Sequence, residues 1–280
     1  MKVDLHLHSN WSDGSMGIPQ LVRYAKDAGI DVISITDHDT MAGQIEAQDE
    51  GAKQGQKVIN GVEISAFNPE TGRKVHILGY NVKNMEAVNR ACLPYLEDRH
   101  RKNLESALRI IKAGYLIRID DVTAYASLTG TVYRQHIMHA LVERGYTPTI
   151  YGPLYKKLFG PDGLAFVKSS YMGVKEAVDL IRECGGHAVL AHPFQYDSVE
   201  LIPRLVEWGL AGIEYQHHTQ TEKHQEAISW ICNRYNLFLT GGSDFHGFYS
   251  EKALLLGANG TELGLEHQLI VSEKSIPGRK

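Results

Sequence analysis

Two imidazoles one residue apart, His6 and His8, open a series of ligand-type side chains that runs the length of the chain. The series continues with Asp13, with His38 between Asp37 and Asp39, with Glu63, His76 and His192, and closes on Asp244 and His246. Imidazole and carboxylate donors suit zinc, iron or manganese, and no CxxC pair supplies thiolates. Packing so many ionisable groups into one cleft without cations would leave costly buried charge. A carboxylate such as Glu63 can bridge two cations through its two oxygens. Paired divalent ions roughly 4 Å apart can hold a hydroxide nucleophile and stabilise phosphoryl oxygens. The expected chemistry is phosphoester hydrolysis by hydroxide from metal-acidified water, without a covalent enzyme intermediate.

These residues need a scaffold that gathers them. Lys2–His8 alternates Val3, Leu5 and Leu7 with Asp4, His6 and His8, a period of two that predicts a strand. Further strands are expected over Ile30–Thr36, Lys57–Ile64 and Val75–Tyr80, and from residues near 187, 212 and 237, seven in all. Helical stretches between them, such as Ile18–Ala28 and Gly173–Cys184, predict a parallel α/β arrangement. A closed or nearly closed barrel brings every strand C-terminus to one mouth, where the ligand segments converge; an open doubly wound sheet is the alternative. The alternation lapses between about residues 84 and 170. Glu86–Lys112 reads as helix with an interruption at Pro94, and Gly145–Gly163, with three prolines and four glycines, reads as ordered loops. Residues 95–165 are therefore expected to form a helical, substrate-binding insertion over the mouth of a barrel built from residues 1–94 and 166–280.

Composition narrows the class. The 280 residues carry a formal net charge of -4, which gives no general attraction to nucleic acid, although a local basic pocket is compatible with it. The hydrophobic fraction is 43% and no apolar run is long enough to span a bilayer. MKVDLHLHS has none of the features of a secretion signal, and three dispersed cysteines suit a reducing compartment, so a cytoplasmic location is expected. Nothing points to an obligatory protein partner.

The segments DLHLHSNWSDG at 4–14, TDHDT at 36–40, GVEIS at 61–65, VHILGY at 75–80, LAHP at 190–193 and GGSDFHG at 241–247 resemble, in order and spacing, the motifs of the polymerase-and-histidinol-phosphatase (PHP) superfamily. The resemblance implies an α/β fold, a distorted seven-stranded (β/α) barrel with a small, mainly helical insertion. It also implies three divalent metal ions, with manganese favoured over zinc or iron. By the matching motifs, His6, His8 and Asp244 would hold one ion. Glu63 would bridge to a second held by His76 and His192, and Asp13, His38 and His246 would hold the third.

TVYRQHIMHALVERGY at 131–146 further resembles the branch containing nucleoside 3′,5′-bisphosphate phosphatases and 5′–3′ exoribonucleases. Gln135 stands where many relatives have proline. The implied function is hydrolysis of the 3′-phosphate of nucleoside 3′,5′-bisphosphates, a small phosphorylated nucleotide as substrate. Four alternatives stay open: exonuclease action on short 5′-phosphorylated RNA, histidinol phosphatase activity, hydrolysis of carbon–nitrogen bonds, and a non-enzymatic partner module. Arg134 is the expected phosphate clamp, since a guanidinium donates two parallel hydrogen bonds. His136 is expected to bind substrate, and His217 to bind phosphate or donate a proton to the leaving group. Lys157 and Lys168 would meet a second phosphate.

Overall fold

The computed structural model describes residues 1–250, 254–258 and 261–262. Its strands are β1 (Lys2–Leu7), β2 (Val32–Ile35), β3 (Lys57–Phe67), β4 (Lys74–Tyr80), β5 (Met172–Gly173), β6 (His187–Leu190), β7 (Gly212–Gln216), β8 (Phe238–Gly241) and β9 (Thr261–Glu262). They form one sheet in the order β8-β7-β6-β4-β3-β2-β1-β9, with β5 paired to the far end of β3. The sheet curls until its ends meet. Asp244 N–H donates to His6 O at 2.9 Å, and His8 N–H donates to Phe245 O at 3.0 Å. The result is a mostly closed, mixed barrel with a helical insertion, the class of fold that the motifs imply. All seven expected strands are present, and β5 and β9 are two-residue additions. The part of the expected barrel segment that follows residue 262 lies outside the described residues.

The all-parallel reading needs one correction. β4 runs antiparallel to both of its neighbours, β3 and β6. Its link from β3 spans only residues 68–73, closed by Asn68 and Arg73, with Gly72 at φ +68. A parallel crossover takes about a dozen residues or more, so this short link makes a hairpin instead. The start of β4 therefore lies where the parallel strands end, and His76 pairs in register with Ser65.

Strict alternation also fails in β1, where the register shifts between Asp4 and Leu7. Leu5 packs with Leu78, Tyr80 and Val189 inside, whereas Leu7 packs outside with Ile18 and Leu21. Such a bulge re-aims the side chains that follow it.

Helices α1 (Ile18–Asp27) and α2 (Gln44–Gln54) bury Leu21, Val22 and Ala47 against Ile33 and Ile35. Helices α3 (Met85–Lys112), α4 (Ile119–Thr123), α5 (Arg134–Glu143) and α6 (Pro153–Phe159) share an apolar cluster that includes Ile110, Val122, Ile137 and Leu158, while Val88 and Cys92 in the first half of α3 pack with the barrel residues Ile64 and Ile77. The expected break at Pro94 is absent, because α3 continues through it. Pro94 is exposed, and its missing N–H removes one helix hydrogen bond. Likewise the expected loop at 145–163 contains α6, with Pro153 in its first turn. On the other side, α7 (Val174–Glu183), α8 (Ile202–Glu207) and α9 (Glu222–Tyr235) cover Ile64, Leu190 and Ile213. No helix among the described residues is long and apolar enough to cross a membrane.

Candidate metal centre

The ligand-type residues meet at the mouth because the backbone comes very close together there. A Cβ on Gly14 would lie 2.2 Å from His8 O, and one on Gly242 would lie 2.3 Å from the His6 Cβ. Only glycine permits the turn that brings Asp13 back over His8, and the close approach of the β8 exit to His6.

Glu63, reaching in from β3, is central. Its Oε2 lies 3.2 Å from His6 Nε2, His8 Nε2 and His38 Nδ1. Its Oε1 lies 2.7 Å from His76 Nδ1 and 2.9 Å from His192 Nε2. Asp244 Oδ1 is 3.1 Å from His8 Nε2, and Asp13 Oδ1 is 3.3 Å from His246 Nε2. All nine expected ligands are brought together.

Potential ligand atoms cluster within 4.8 Å in overlapping groups: His6, His8, Glu63 and Asp244; His38, Glu63 and His76; and His8, Asp13, His38 and His246. His8 and His38 each belong to two groups, so the division between ions is less exclusive than the motifs imply. A further group of His217, His218 and Asp244 adjoins them.

The donor set fits divalent cations. His6 Nε2, both ring nitrogens of His8, and Asp244 Oδ1 are buried without a hydrogen-bond partner. Stranded buried polar atoms of this kind cost about 1–3 kcal/mol each, a cost that coordination removes. The three clusters fit a trinuclear divalent-metal site with nitrogen and oxygen donors.

Other side chains hold these ligands in place. Glu214 on β7 is fully buried; its Oε1 is 2.9 Å from His6 Nδ1 and its Oε2 accepts from His192 N–H at 2.7 Å. Asp37 accepts from Ser9 N–H and from the hydroxyls of Ser9 and Ser12, fixing the turn that carries Asp13. Asp39 accepts from Arg99 of α3 at 2.5 Å, and Arg99 also donates to Ser65 Oγ at 2.9 Å. Gln135, which stands in place of the proline of the motif that this segment resembles, donates to Asp13 Oδ2 at 2.9 Å and to Tyr151 Oη at 3.1 Å. Proline could make neither bond.

The expected substrate contacts divide. Arg134 lines the cavity above the cluster, with its guanidinium carbon 5.3 Å from the Phe159 ring centroid and 5.6 Å from that of Phe166. His136 is buried and lines a separate groove with His139 and Phe248. Lys157 and Lys168 are not among the residues lining the central cavity. His218 lines that cavity, whereas His217 lies buried behind Asp244, with Nδ1 2.7 Å from Thr219 Oγ1 and Nε2 3.2 Å from Asp244 Oδ2. Lys74, Arg99, Tyr171 and Tyr196, none of which stands out by sequence motif, complete much of the wall.

Electrostatics in the cation-free protein follow from this crowding. Burial opposes charge on His6, but Glu63, Glu214 and Asp244 outweigh it and hold the imidazole well above its usual range. Burial is likewise outweighed at His8 by the adjacent carboxylates of Asp244 and Glu63, which lift its pKa to about 10. At His38 burial wins, and the pKa falls to about 3. Burial alone would raise Asp13, Glu63 and Asp244, yet the surrounding imidazoles hold all three below the ordinary carboxylate range.

Protons on His6 and His8 must leave before their nitrogens can coordinate. Metal affinity is therefore expected to rise with pH from neutrality towards about 10, where His8 titrates. Burial is outweighed at His192 too, where Glu63 holds the imidazole above its usual range, so calorimetric titration with manganese in buffers of different ionisation enthalpy should show release of about two to three protons per chain. Buffer-independent heats would contradict this protonation pattern.

The PHP domain family model matches residues 4–184. The chain is 40% identical over 245 residues to a phosphoribosyl 1,2-cyclic phosphate 1,2-diphosphodiesterase of Eggerthella lenta, an alignment covering 87% of this chain and 94% of that protein. It is 34% identical over 251 residues to a 5′–3′ exoribonuclease of Haemophilus influenzae, covering 88% and 90% of the two. A crystal structure from Bifidobacterium adolescentis, named as a metal-dependent phosphoesterase, superposes with a TM-score of 0.83 at 28% identity over 92% of each chain.

Proposed function

The chain belongs to the PHP domain family and is a metal-dependent phosphoesterase, and on that premise we propose that its substrate is a small ribose phosphate, foremost the 1,2-cyclic phosphate of 5-phosphoribose. The observation that carries this reading is the cavity itself. The Glu63-centred cluster forms its floor, and Arg134, Tyr151 and Tyr155 of the insertion form part of its wall. Such a chamber suits a small phosphate ester better than a long polymer. The 40% identity to the cyclic phosphodiesterase supports the cyclic substrate over a nucleoside 3′,5′-bisphosphate or short RNA.

His6, His8, Glu63 and Asp244 would hold one cation, His76 and His192 would share Glu63 around a second, and Asp13, His38 and His246 would hold a third. When bound, the ions polarise the phosphoryl group and acidify water. Arg134, on the cavity wall, donates to phosphate oxygens and offsets their charge. Hydrolysis of the cyclic diester adds a hydroxyl to phosphorus, breaks one ring P–O bond and leaves a proton on the departing sugar oxygen. His218, also on the wall, supplies that proton. His217 acts as a positioning residue, holding Asp244 from behind.

The test is turnover by manganese-loaded protein of 5-phosphoribose 1,2-cyclic phosphate, a nucleoside 3′,5′-bisphosphate, histidinol phosphate and 5′-phosphorylated short RNA. The cyclic substrate is expected to lead in kcat/KM by at least about a hundredfold, since a site that hydrogen-bonds its substrate can discriminate by as much as about 10⁴–10⁵. Equal or faster turnover of any other member of the panel would reverse the assignment. Arg134→Met should lower kcat/KM about tenfold, the cost of a charge-assisted hydrogen bond, with metal content unchanged.

A further inference from the structure

On the wall facing the metal-ligand cluster, three cations approach one phenol. Strand alternation puts Lys74 on the same face of β4 as His76, two residues closer to the solvent end of the mouth. β5 pairs with Ala66 and Phe67 of β3 on the edge opposite β4, so Tyr171, the residue before it, faces the start of β4 across β3. Lys74 Nζ lies 5.5 Å from the Tyr171 ring centroid and 5.9 Å from that of Tyr196. The Arg99 guanidinium carbon lies 5.8 Å from the Tyr171 centroid. All of these residues line the cavity that the ligand cluster occupies, as does Arg134.

The charges do not balance on this wall. Arg99 is neutralised by Asp39. Lys74 and Arg134 lie over aromatic rings, and neither forms a salt bridge with a carboxylate among the described residues. Burial pushes the Tyr171 phenol up, yet Lys74, Arg99 and Arg134 outweigh it and bring it below its ordinary value. Aromatic faces orient a cation without cancelling its charge. An anion is what such a wall lacks.

We infer that Lys74 and Tyr171, beside Arg134, form a second anion subsite that holds the non-reacting phosphate of a doubly phosphorylated ribose substrate. The inference rests on the ribose-phosphate reading above for the identity of the ligand. While the scissile phosphate sits over the Glu63 cluster, the ammonium of Lys74 and the hydroxyl of Tyr171 donate to the distal one. Lys74 is therefore a specificity determinant, and its contribution falls on substrate binding.

The matched pair of 5-phosphoribose 1,2-cyclic phosphate and ribose 1,2-cyclic phosphate tests this in the metal-loaded protein. The wild type should favour the 5-phosphorylated member, and Lys74→Met should reduce that preference about tenfold, chiefly through KM. Lys74→Arg should restore most of it, and Tyr171→Phe should also lower it about tenfold, as expected for a hydrogen bond to a charged acceptor. Calorimetric binding of ribose 5-phosphate gives a readout independent of turnover, and its affinity should weaken about tenfold in Lys74→Met. Unchanged affinity for ribose 5-phosphate in Lys74→Met would overturn the subsite. Weakened affinity without turnover of either cyclic substrate would support the subsite and overturn the proposed reaction.

Discussion

Replacing Glu63 with glutamine is expected to lower phosphoester turnover by well over about a hundredfold and to remove at least one of the bound ions. An outer partner of a ligand already costs about 10–100-fold, and Glu63 lies among the ligands themselves. One oxygen faces His6, His8 and His38, and the other faces His76 and His192. Glutamine keeps one acceptor and replaces the other with two N–H donors, so it cannot join two cations through two oxygens. The neighbouring imidazoles also lose the buried carboxylate that offsets their charge. The metal-free variant should thus be less stable by about 3 kcal/mol, the scale of breaking a buried pair. Elemental analysis of the purified variant, denaturant unfolding and turnover separate these effects. A variant that keeps a full complement of metal and near-normal turnover would remove Glu63 from the centre of the site.

Glu63 is legible in the sequence itself. It lies near the exit of a β-rich segment, GVEIS, and its carboxylate becomes a bridging candidate once the histidine segments at the other strand ends are read with it. His6 and His8, and Asp244 and His246, are equally legible, because alternation places each pair at one strand end. His76 is recognisable as a residue type, but its direction of approach is not. The turn at 68–73 reverses the chain, so His76 enters from the start of an antiparallel strand.

The groups that orient ligands are harder to find. Glu214 lies in GIEYQ, where a single carboxylate on a strand has the same local signature as an outward-facing polar residue. Its period-two position among Gly212 and Gln216 becomes informative only when the barrel defines an inside. Arg99 belongs to a long polar helix and meets Asp39 across sixty positions of sequence, a pairing that no local periodicity encodes. Lys74 and Tyr171 come together through the pairing of β5 with β3, a tertiary contact between segments about a hundred residues apart that strand alternation does not reach.

Glu214→Gln is expected to weaken metal binding and turnover by up to about a hundredfold, although Glu214 lies outside the ligand groups. The carboxylate is fully buried and makes two bonds in different directions. Oε1 engages His6 Nδ1, leaving Nε2 of the same ring 3.2 Å from Glu63 and 3.4 Å from Asp244. Oε2 accepts from the backbone N–H of His192, a non-glycine residue at φ +23, a left-handed conformation that costs about 1–3 kcal/mol and needs such support. Glutamine can satisfy one of these donors but sets an N–H against the other. Either the His6 ring turns away from the cluster or His192 relaxes towards an ordinary backbone conformation.

Burial would raise Glu214, yet His6 and His217 outweigh it and hold the carboxyl below its usual range, so the wild-type group is ionised at neutral pH. The substitution therefore removes a charge as well as an acceptor. A role in positioning predicts a specific split: metal affinity and kcat fall together, while KM at saturating metal changes little. Glu214→Asp, one methylene shorter, cannot span both donors and should recover only part of the loss. Metal titration at limiting manganese decides the matter. Wild-type affinity in Glu214→Gln, even with reduced thermal stability, would make Glu214 a support for the barrel and nothing more.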